Sequence, residues 1–154
     1  EWSINSDFNG TANKMLNAYT YELSLDADPG AGTALYTFDP INGFSVADHA
    51  FGDNNTGNGD GEVASNANHY TNLIAEKNVA QNSWSYEFFN DSGQLVDFDP
   101  NIVGEYTITL SAIDNNDDQV ASTSININVV PSPTAALAGL GLLGGLAMKR
   151  RRRA

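Results

Sequence analysis

Residues 104–130 read GEYTITLSAIDNNDDQVASTSININVV, and this stretch decides the class of fold. Apolar and polar side chains alternate before the run DNNDD, and the alternation resumes after it. A period of two is typical of a strand with one buried face, and a run of Asp and Asn is typical of a turn. The stretch therefore predicts a hairpin of two long antiparallel strands, at residues 106–113 and 120–130. The side chains predicted to share a face are Tyr106, Ile108, Leu110 and Ala112 on the first strand, and Ile125, Ile127 and Val129 on the second.

The chain before this hairpin contains shorter segments of the same kind. Alternation predicts three further strands, at residues 19–26, 34–38 and 83–88. One segment, residues 63–77, has helical spacing instead, because its apolar residues recur at steps of three and four. These apolar residues are Val63, Ala67, Tyr70, Leu73 and Ile74. The pattern predicts an all-β fold for residues 1–130, an antiparallel β-sandwich with one inserted helix.

The segment GEYTITL at residues 104–110 and its hairpin partner resemble the last two strands of immunoglobulin-like modules, which are common in bacterial surface proteins. The resemblance implies an immunoglobulin-like topology for the predicted sandwich. A jelly roll is the alternative architecture, because it is also built from short antiparallel strands.

Charge is distributed unevenly along the 154 residues. All 19 acidic residues lie before residue 119, whereas five of the seven basic residues form one run at residues 149–153. Lys14 and Lys77 are the only cations before that run. A body this acidic repels phosphate groups, which excludes nucleic acid as a partner. The absence of cysteine excludes a disulfide framework and a zinc–thiolate site.

The residues available for catalysis are few. The chain has two histidines, His49 and His69, no cysteine and no Gly-x-Ser-x-Gly motif. Asp48, His49 and Asp53 would form a metal site only if His69 joined them, whereas hydrogen bonding within a loop is the favoured interpretation. The sequence therefore predicts a protein that is not an enzyme.

Calcium is the cation that the composition favours, because it binds oxygen ligands and the chain has 13 Asp and 19 Asn. No loop has the ligand spacing of an EF-hand, so a site would require residues from separate loops. The candidate ligands are Asp26, Asp28, Asp53, Asp60, Asp114 and Asp118. The favoured interpretation is that Asn and Asp simply form turns and keep an exported protein soluble.

Aromatic side chains suggest a second possible role, in binding carbohydrate. The candidates for a sugar-stacking surface are Trp2, Tyr36, Phe44, Phe51, Trp84 and Phe89. Most of these rings are expected to lie in the core, as Trp84 in its predicted strand would. Phe44 and Phe51 lie in predicted loops, so they are the two whose exposure would favour a binding surface.

The end of the chain has three parts in a fixed order. Pro131, Ser132 and Pro133 are followed by fifteen uncharged, mainly apolar residues at 134–148. The chain then turns cationic, with the basic residues Lys149, Arg150, Arg151, Arg152 and Arg153 in the tail 149–154. The apolar part predicts a transmembrane helix that does not pack into the body. The basic run predicts that the tail is cytoplasmic and that residues 1–130 are outside the membrane.

This order of Pro-x-Pro, apolar helix and arginine cluster resembles the PEP-CTERM sorting signal of bacteria, which the membrane enzyme exosortase reads. The chain carries Ser132 where that family's signal has glutamate, which predicts a variant enzyme as partner. The resemblance implies cleavage near residues 131–133 and release or attachment of the body at the cell surface. A permanent membrane anchor is the alternative.

Together these features predict an exported structural or adhesive protein of the cell surface or extracellular matrix. The expected partners are an exosortase-like enzyme, the membrane during sorting, and matrix polysaccharide. The alternative function is a carbohydrate-binding or calcium-dependent adhesion module. The residues near Glu1 lack a basic start and an apolar run, so a removed leader is expected.

Overall fold

A computed structural model of the chain describes residues 1–43, 48–84 and 102–130. In these residues the chain forms seven strands, one α-helix and one turn of 3₁₀ helix. The strands are β1 (Trp2–Asn5), β2 (Thr20–Asp26), β3 (Leu35–Phe38), β4 (Ala50–Gly52), β5 (Val79–Asn82), β6 (Gly104–Ile113) and β7 (Gln119–Val129). The α-helix, α1, spans Ala67–Glu76, and the 3₁₀ turn spans Leu16–Ala18.

The strands form two antiparallel sheets. The larger sheet has the order β3-β2-β6-β7, and the smaller one has the order β1-β5-β4. One core cluster contains Ile4 of the smaller sheet and Tyr21 of the larger one, with Leu110 packed against it. A mainly β fold with two antiparallel sheets and one helix is consistent with the predicted β-sandwich.

The hairpin predicted from residues 104–130 is confirmed. Tyr106 lies opposite Ile127 and Ile108 lies opposite Ile125, so the predicted side chains share one face. The register shifts between Ala112 and Ile113, just before the turn. In that turn the carboxylate of Asp114 accepts backbone hydrogen bonds from Asn116 (2.8 Å) and Asp118 (3.1 Å).

The second confirmed pattern is the alternation in β2. Tyr21, Leu23 and Leu25 are almost completely buried, at 2%, 3% and 1% exposure. Leu23 lies opposite Leu110, and Leu25 lies opposite Ile108. The buried face of β2 therefore continues into β6 and forms the centre of the larger sheet.

The helix begins four residues later than the spacing predicts. Asn66 caps α1, because its side chain accepts a hydrogen bond from the backbone N–H of His69 at 3.0 Å. Tyr70 and Leu73 are buried as expected, whereas Val63 is 53% exposed. Glu62 pairs with Phe51 through two backbone hydrogen bonds of 2.8 Å, which holds the chain extended just before the helix.

The strand predicted at residues 83–88 is only partly inside the described residues. Ser83 and Trp84 are not in a strand, and residues 85–88 lie outside the described part of the chain. The strand at this place is β5, which ends at Asn82 and is central in the smaller sheet. Its buried Ala80 lies opposite Ile4 on one side and Phe51 on the other.

Two tyrosine hydroxyls stabilise loops beside the core. Tyr21 donates to the carbonyl oxygen of Leu16 at 2.9 Å, and Tyr70 donates to that of Ile41 at 2.8 Å. Burial and the negative charge of Asp39 raise the pKa of both hydroxyls, with burial the larger cause. The two rings remain protonated hydrogen-bond donors at any physiological pH.

Candidate functional site

The predicted sorting motif and cytoplasmic stop lie outside the described residues. This applies to Pro131, Ser132, Pro133, Lys149, Arg150, Arg151, Arg152 and Arg153, and to the predicted helix at 134–148. Within residues 1–43, 48–84 and 102–130, no helix is both long and apolar enough to cross a membrane. The tail assignments therefore stay predictions.

The described body contains one buried imidazole, that of His49, which is 0% exposed. Its Nε2 lies 2.7 Å from the carbonyl oxygen of Pro40, and its Nδ1 lies 2.7 Å from the side-chain amide nitrogen of Asn82. Because a carbonyl only accepts and an amide nitrogen only donates, Nε2 carries the proton and Nδ1 accepts. His49 is thus a neutral hydrogen-bonded residue that connects the residues before β4 to the end of β5.

Aromatic rings surround His49 on several sides. Trp2 lies edge-on with a centroid distance of 5.1 Å, and Phe51, Tyr70 and Trp84 lie at 5.9, 6.0 and 6.1 Å. Burial lowers the pKa of His49, against the smaller opposing effects of the Pro40 carbonyl and the Asp48 charge. The site therefore favours the neutral imidazole, and the hydrogen bonds to Pro40 and Asn82 occupy both of its nitrogens, so neither nitrogen is available to bind a metal ion.

This arrangement predicts that the body loses stability as the pH falls below about 6.5, the ordinary pKa of histidine. Below that pH, His49 binds a proton in the unfolded chain but not in the folded one. The free energy of unfolding therefore continues to fall until the pH reaches the pKa of His49 in the folded protein. The charge of Asp48 opposes this effect only in part. Urea denaturation between pH 7.5 and 5.5 measures the change, and His49→Gln is expected to flatten it. An NMR titration of the His49 ring with a midpoint at or above 6.5 would contradict the prediction.

His69 lies apart from His49, on α1. Its Nε2 is 3.1 Å from a carboxylate oxygen of Glu62, and its Nδ1 is 3.2 Å from both the backbone nitrogen and the hydroxyl of Ser65. No group of three His, Asp or Glu side chains among the described residues is placed to hold a metal ion. The structure therefore does not bring together Asp48, His49, Asp53 and His69 as ligands.

The calcium candidates lie in or beside three separate loops, with Asp26 as the last residue of β2, and several of their carboxylates already accept hydrogen bonds from backbone N–H groups. Asp26 accepts from Asp28 and Ala34, at 3.1 and 2.8 Å. Asp53 accepts from Asn55 at 2.8 Å. The geometry is that of side chains that close turns. The candidates Asp28, Asp60, Asp114 and Asp118 also lie in loops or turns.

Phe51 is not part of a sugar-stacking surface, because it is 1% exposed and belongs to the core. Phe44 and Phe89 lie outside the described residues. Tyr36 is 40% exposed, and Trp84 packs against Phe38 at a centroid distance of 5.8 Å. The sequence pattern did not identify Phe8 as an exposed aromatic residue, although it is 81% exposed in a loop before the 3₁₀ turn. Because Phe8 has no alternating neighbours, no sequence signal marked it.

A polar cleft lies over the solvent-facing side of the smaller sheet. It consists of two adjoining hollows of about 540 and 380 Å³, which share Ala50, Asn58 and Gln81. Asp48, Asn82 and Ser3 also line the larger hollow. We call this feature the polar cleft.

Amide and carboxylate groups dominate the chemistry of the polar cleft. Asn82 donates to Asp48 at 3.0 Å, and Gln81 donates to the hydroxyl of Ser3 at 3.3 Å. Asn58 comes from the loop between β4 and α1, where Gly59 has a φ of +89°. Such groups can exchange hydrogen bonds with the hydroxyls of a neutral polar ligand such as a sugar.

The chain matches no protein-family model, no curated protein and no solved structure.

Proposed function

We propose that the chain is an exported structural or adhesive protein of the cell surface or extracellular matrix, sorted by an exosortase-like membrane enzyme. The observation that carries this proposal is the order of three elements in the sequence. Pro131-Ser132-Pro133 precedes fifteen uncharged residues, and five consecutive basic residues follow them. This order is similar to that of the PEP-CTERM signal.

The dimensions of residues 134–148 come close to those of a membrane segment. Fifteen helical residues span roughly 22 Å, which is shorter than the roughly 30 Å hydrocarbon core of a bilayer. The long side chains of Lys149 and Arg150 extend the reach, because their apolar stems lie in the lipid while their charges reach water. The basic run favours the cytoplasmic side, which directs the acidic body outward.

The finer assignment of the body is an immunoglobulin-like sandwich. It is supported by the β6–β7 hairpin, whose first strand pairs with β2, and by a second antiparallel sheet across the core. A rigid module of this kind fits a structural or adhesive role, because its loops close their turns through their own carboxylates.

The basic run is predicted to be necessary for retention of the precursor in the membrane. Replacing residues 149–153 by five glutamines removes the cytoplasmic stop, so we expect the membrane-bound precursor to be lost almost completely. Cell fractionation and immunoblotting measure the loss. Lys77→Gln, which removes a cation from the body, is the matched control and is expected to leave retention unchanged. Full retention of the five-glutamine variant would contradict the proposed signal.

A second candidate function, carbohydrate binding, is favoured by the polar cleft. If the cleft binds a glycan, Gln81→Ala and Asn58→Ala are each expected to weaken retention on a polysaccharide column about tenfold, because each removes a hydrogen-bonding amide. Asn128→Ala, on the larger sheet, is the control and is expected to bind like the parent protein. Equal retention of the cleft variants and the parent would exclude the cleft as the binding site.

A further inference from the structure

The outer edge of β7 is long, uncharged and free of proline. Within residues 1–43, 48–84 and 102–130, β7 pairs with β6 on one side and with no strand on the other. Its sequence, QVASTSININV, has none of the charged or proline residues that usually protect an edge. Every second residue of an antiparallel strand directs its N–H and C=O outward, so about five residues offer unpaired backbone groups.

The other sheet edges in the described residues are much shorter. β3, at the opposite edge of the same sheet, has four residues, and the edges of the smaller sheet, β1 and β4, have four and three. Short edges are themselves a protection against pairing, whereas β7 has eleven residues. The contrast identifies β7 as the edge most able to accept a further strand.

Both faces of β7 suit a partner of the same kind. Ile125, near the middle of the strand, is 57% exposed although it lies on the inner face opposite Ile108. On the outer face, Ser122, Ser124 and Asn126 continue a row of hydroxyl and amide side chains from β6. A partner strand with the same alternation would cover Ile125 and extend the polar face.

Charge does not oppose the approach of a second copy along this strand. The chain carries a net charge of −12, so two copies repel each other over most of the body, but an uncharged edge allows close approach. The orientation follows from the acidic turn at residues 114–118, which directly precedes β7. Parallel pairing would place two such turns side by side. Antiparallel pairing separates them by the length of the strand, about 35 Å.

We propose that β7 pairs antiparallel with β7 of a second copy of this chain, joining two four-stranded sheets into one of eight strands. This inference does not depend on the sorting signal. It adds homotypic assembly to the function, as a matrix component requires.

The absence of cysteine from the chain provides a direct test. Single cysteines are introduced one at a time at the exposed positions 121–126 of the full-length chain, and disulfide-linked dimers are measured after mild oxidation. Thr37→Cys, exposed on β3 at the opposite edge of the same sheet, is the matched control. In an antiparallel pair related by a twofold axis, only the residue on the axis lies opposite its own copy. Paired Cβ atoms lie about 4.5–5.5 Å apart, and the distance between the two copies of any other residue grows with its distance from the axis.

We expect the dimer yield to peak at one position and to fall to the Thr37→Cys level within about three residues on either side. A second variant, Ser124→Glu, places like charges close together across the interface. In the single-cysteine chain that gives the highest yield, Ser124→Glu is expected to reduce the yield of disulfide-linked dimer at least fivefold. Thr37→Glu in the same chain is expected to leave that yield unchanged. A flat profile, or a yield no higher than that of Thr37→Cys, would overturn the proposal. Association through the tail alone would give such a flat profile.

Discussion

Replacing Phe51 with alanine is expected to lower the free energy of unfolding by about 3–5 kcal/mol, the range for deleting a buried aromatic ring. The ring is 1% exposed and lies 5.3 Å from that of Tyr70 and 5.9 Å from that of His49, measured between centroids. Its loss leaves a cavity at the contact between the smaller sheet and α1. A loss of this size is a large part of the roughly 5–15 kcal/mol that stabilises an ordinary domain.

Urea denaturation followed by tryptophan fluorescence measures this change. Phe8→Ala is the matched control, because it removes the same ring from a position that is 81% exposed. Its effect is expected to stay within about 0.5 kcal/mol, as for most surface substitutions. Equal stability of the Phe51→Ala and Phe8→Ala proteins would show that the core is not packed as described.

Phe51 also shows where sequence reasoning failed on the fold. Alternation revealed β2, β6 and β7, which have seven, ten and eleven residues, because a long strand repeats its pattern several times. β4 has only three residues, so its pattern cannot be distinguished from that of a loop. What makes Phe51 a core residue is pairing with Ala80 and Glu62, and backbone pairing leaves no local mark in the sequence.

The polar cleft was not predictable for a related reason. Asp48, Asn58 and Gln81 lie on different segments and meet only when β4 pairs with β5. His49 was expected to form hydrogen bonds within its own loop. Its partners are instead Pro40 and Asn82, the second of which is 33 residues away in the sequence. Local spacing can mark a turn carboxylate such as Asp114, but not a site assembled by tertiary contacts.

Cleavage within the sorting motif is expected to be nearly complete in the surface-located protein. Two prolines two residues apart cannot continue the ladder of β7, and each favours extended backbone in the residue before it. The motif is therefore expected to favour an extended segment, which is the backbone form that a protease binds. Replacing both Pro131 and Pro133 by alanine is expected to leave more than half of the protein as uncleaved precursor in the membrane. Pro29→Ala and Pro40→Ala, which change prolines of the body, are the controls and are expected to be processed normally.

The C-terminal residue of the surface-located protein tests the proposed sorting most directly. Mass spectrometry of the protein released from the cell surface is predicted to place the C-terminus at residues 131–133, with no peptide from residues 134–154. Recovery of the intact chain through Arg153 from the same surface fraction would contradict cleavage and would instead support a permanent membrane anchor.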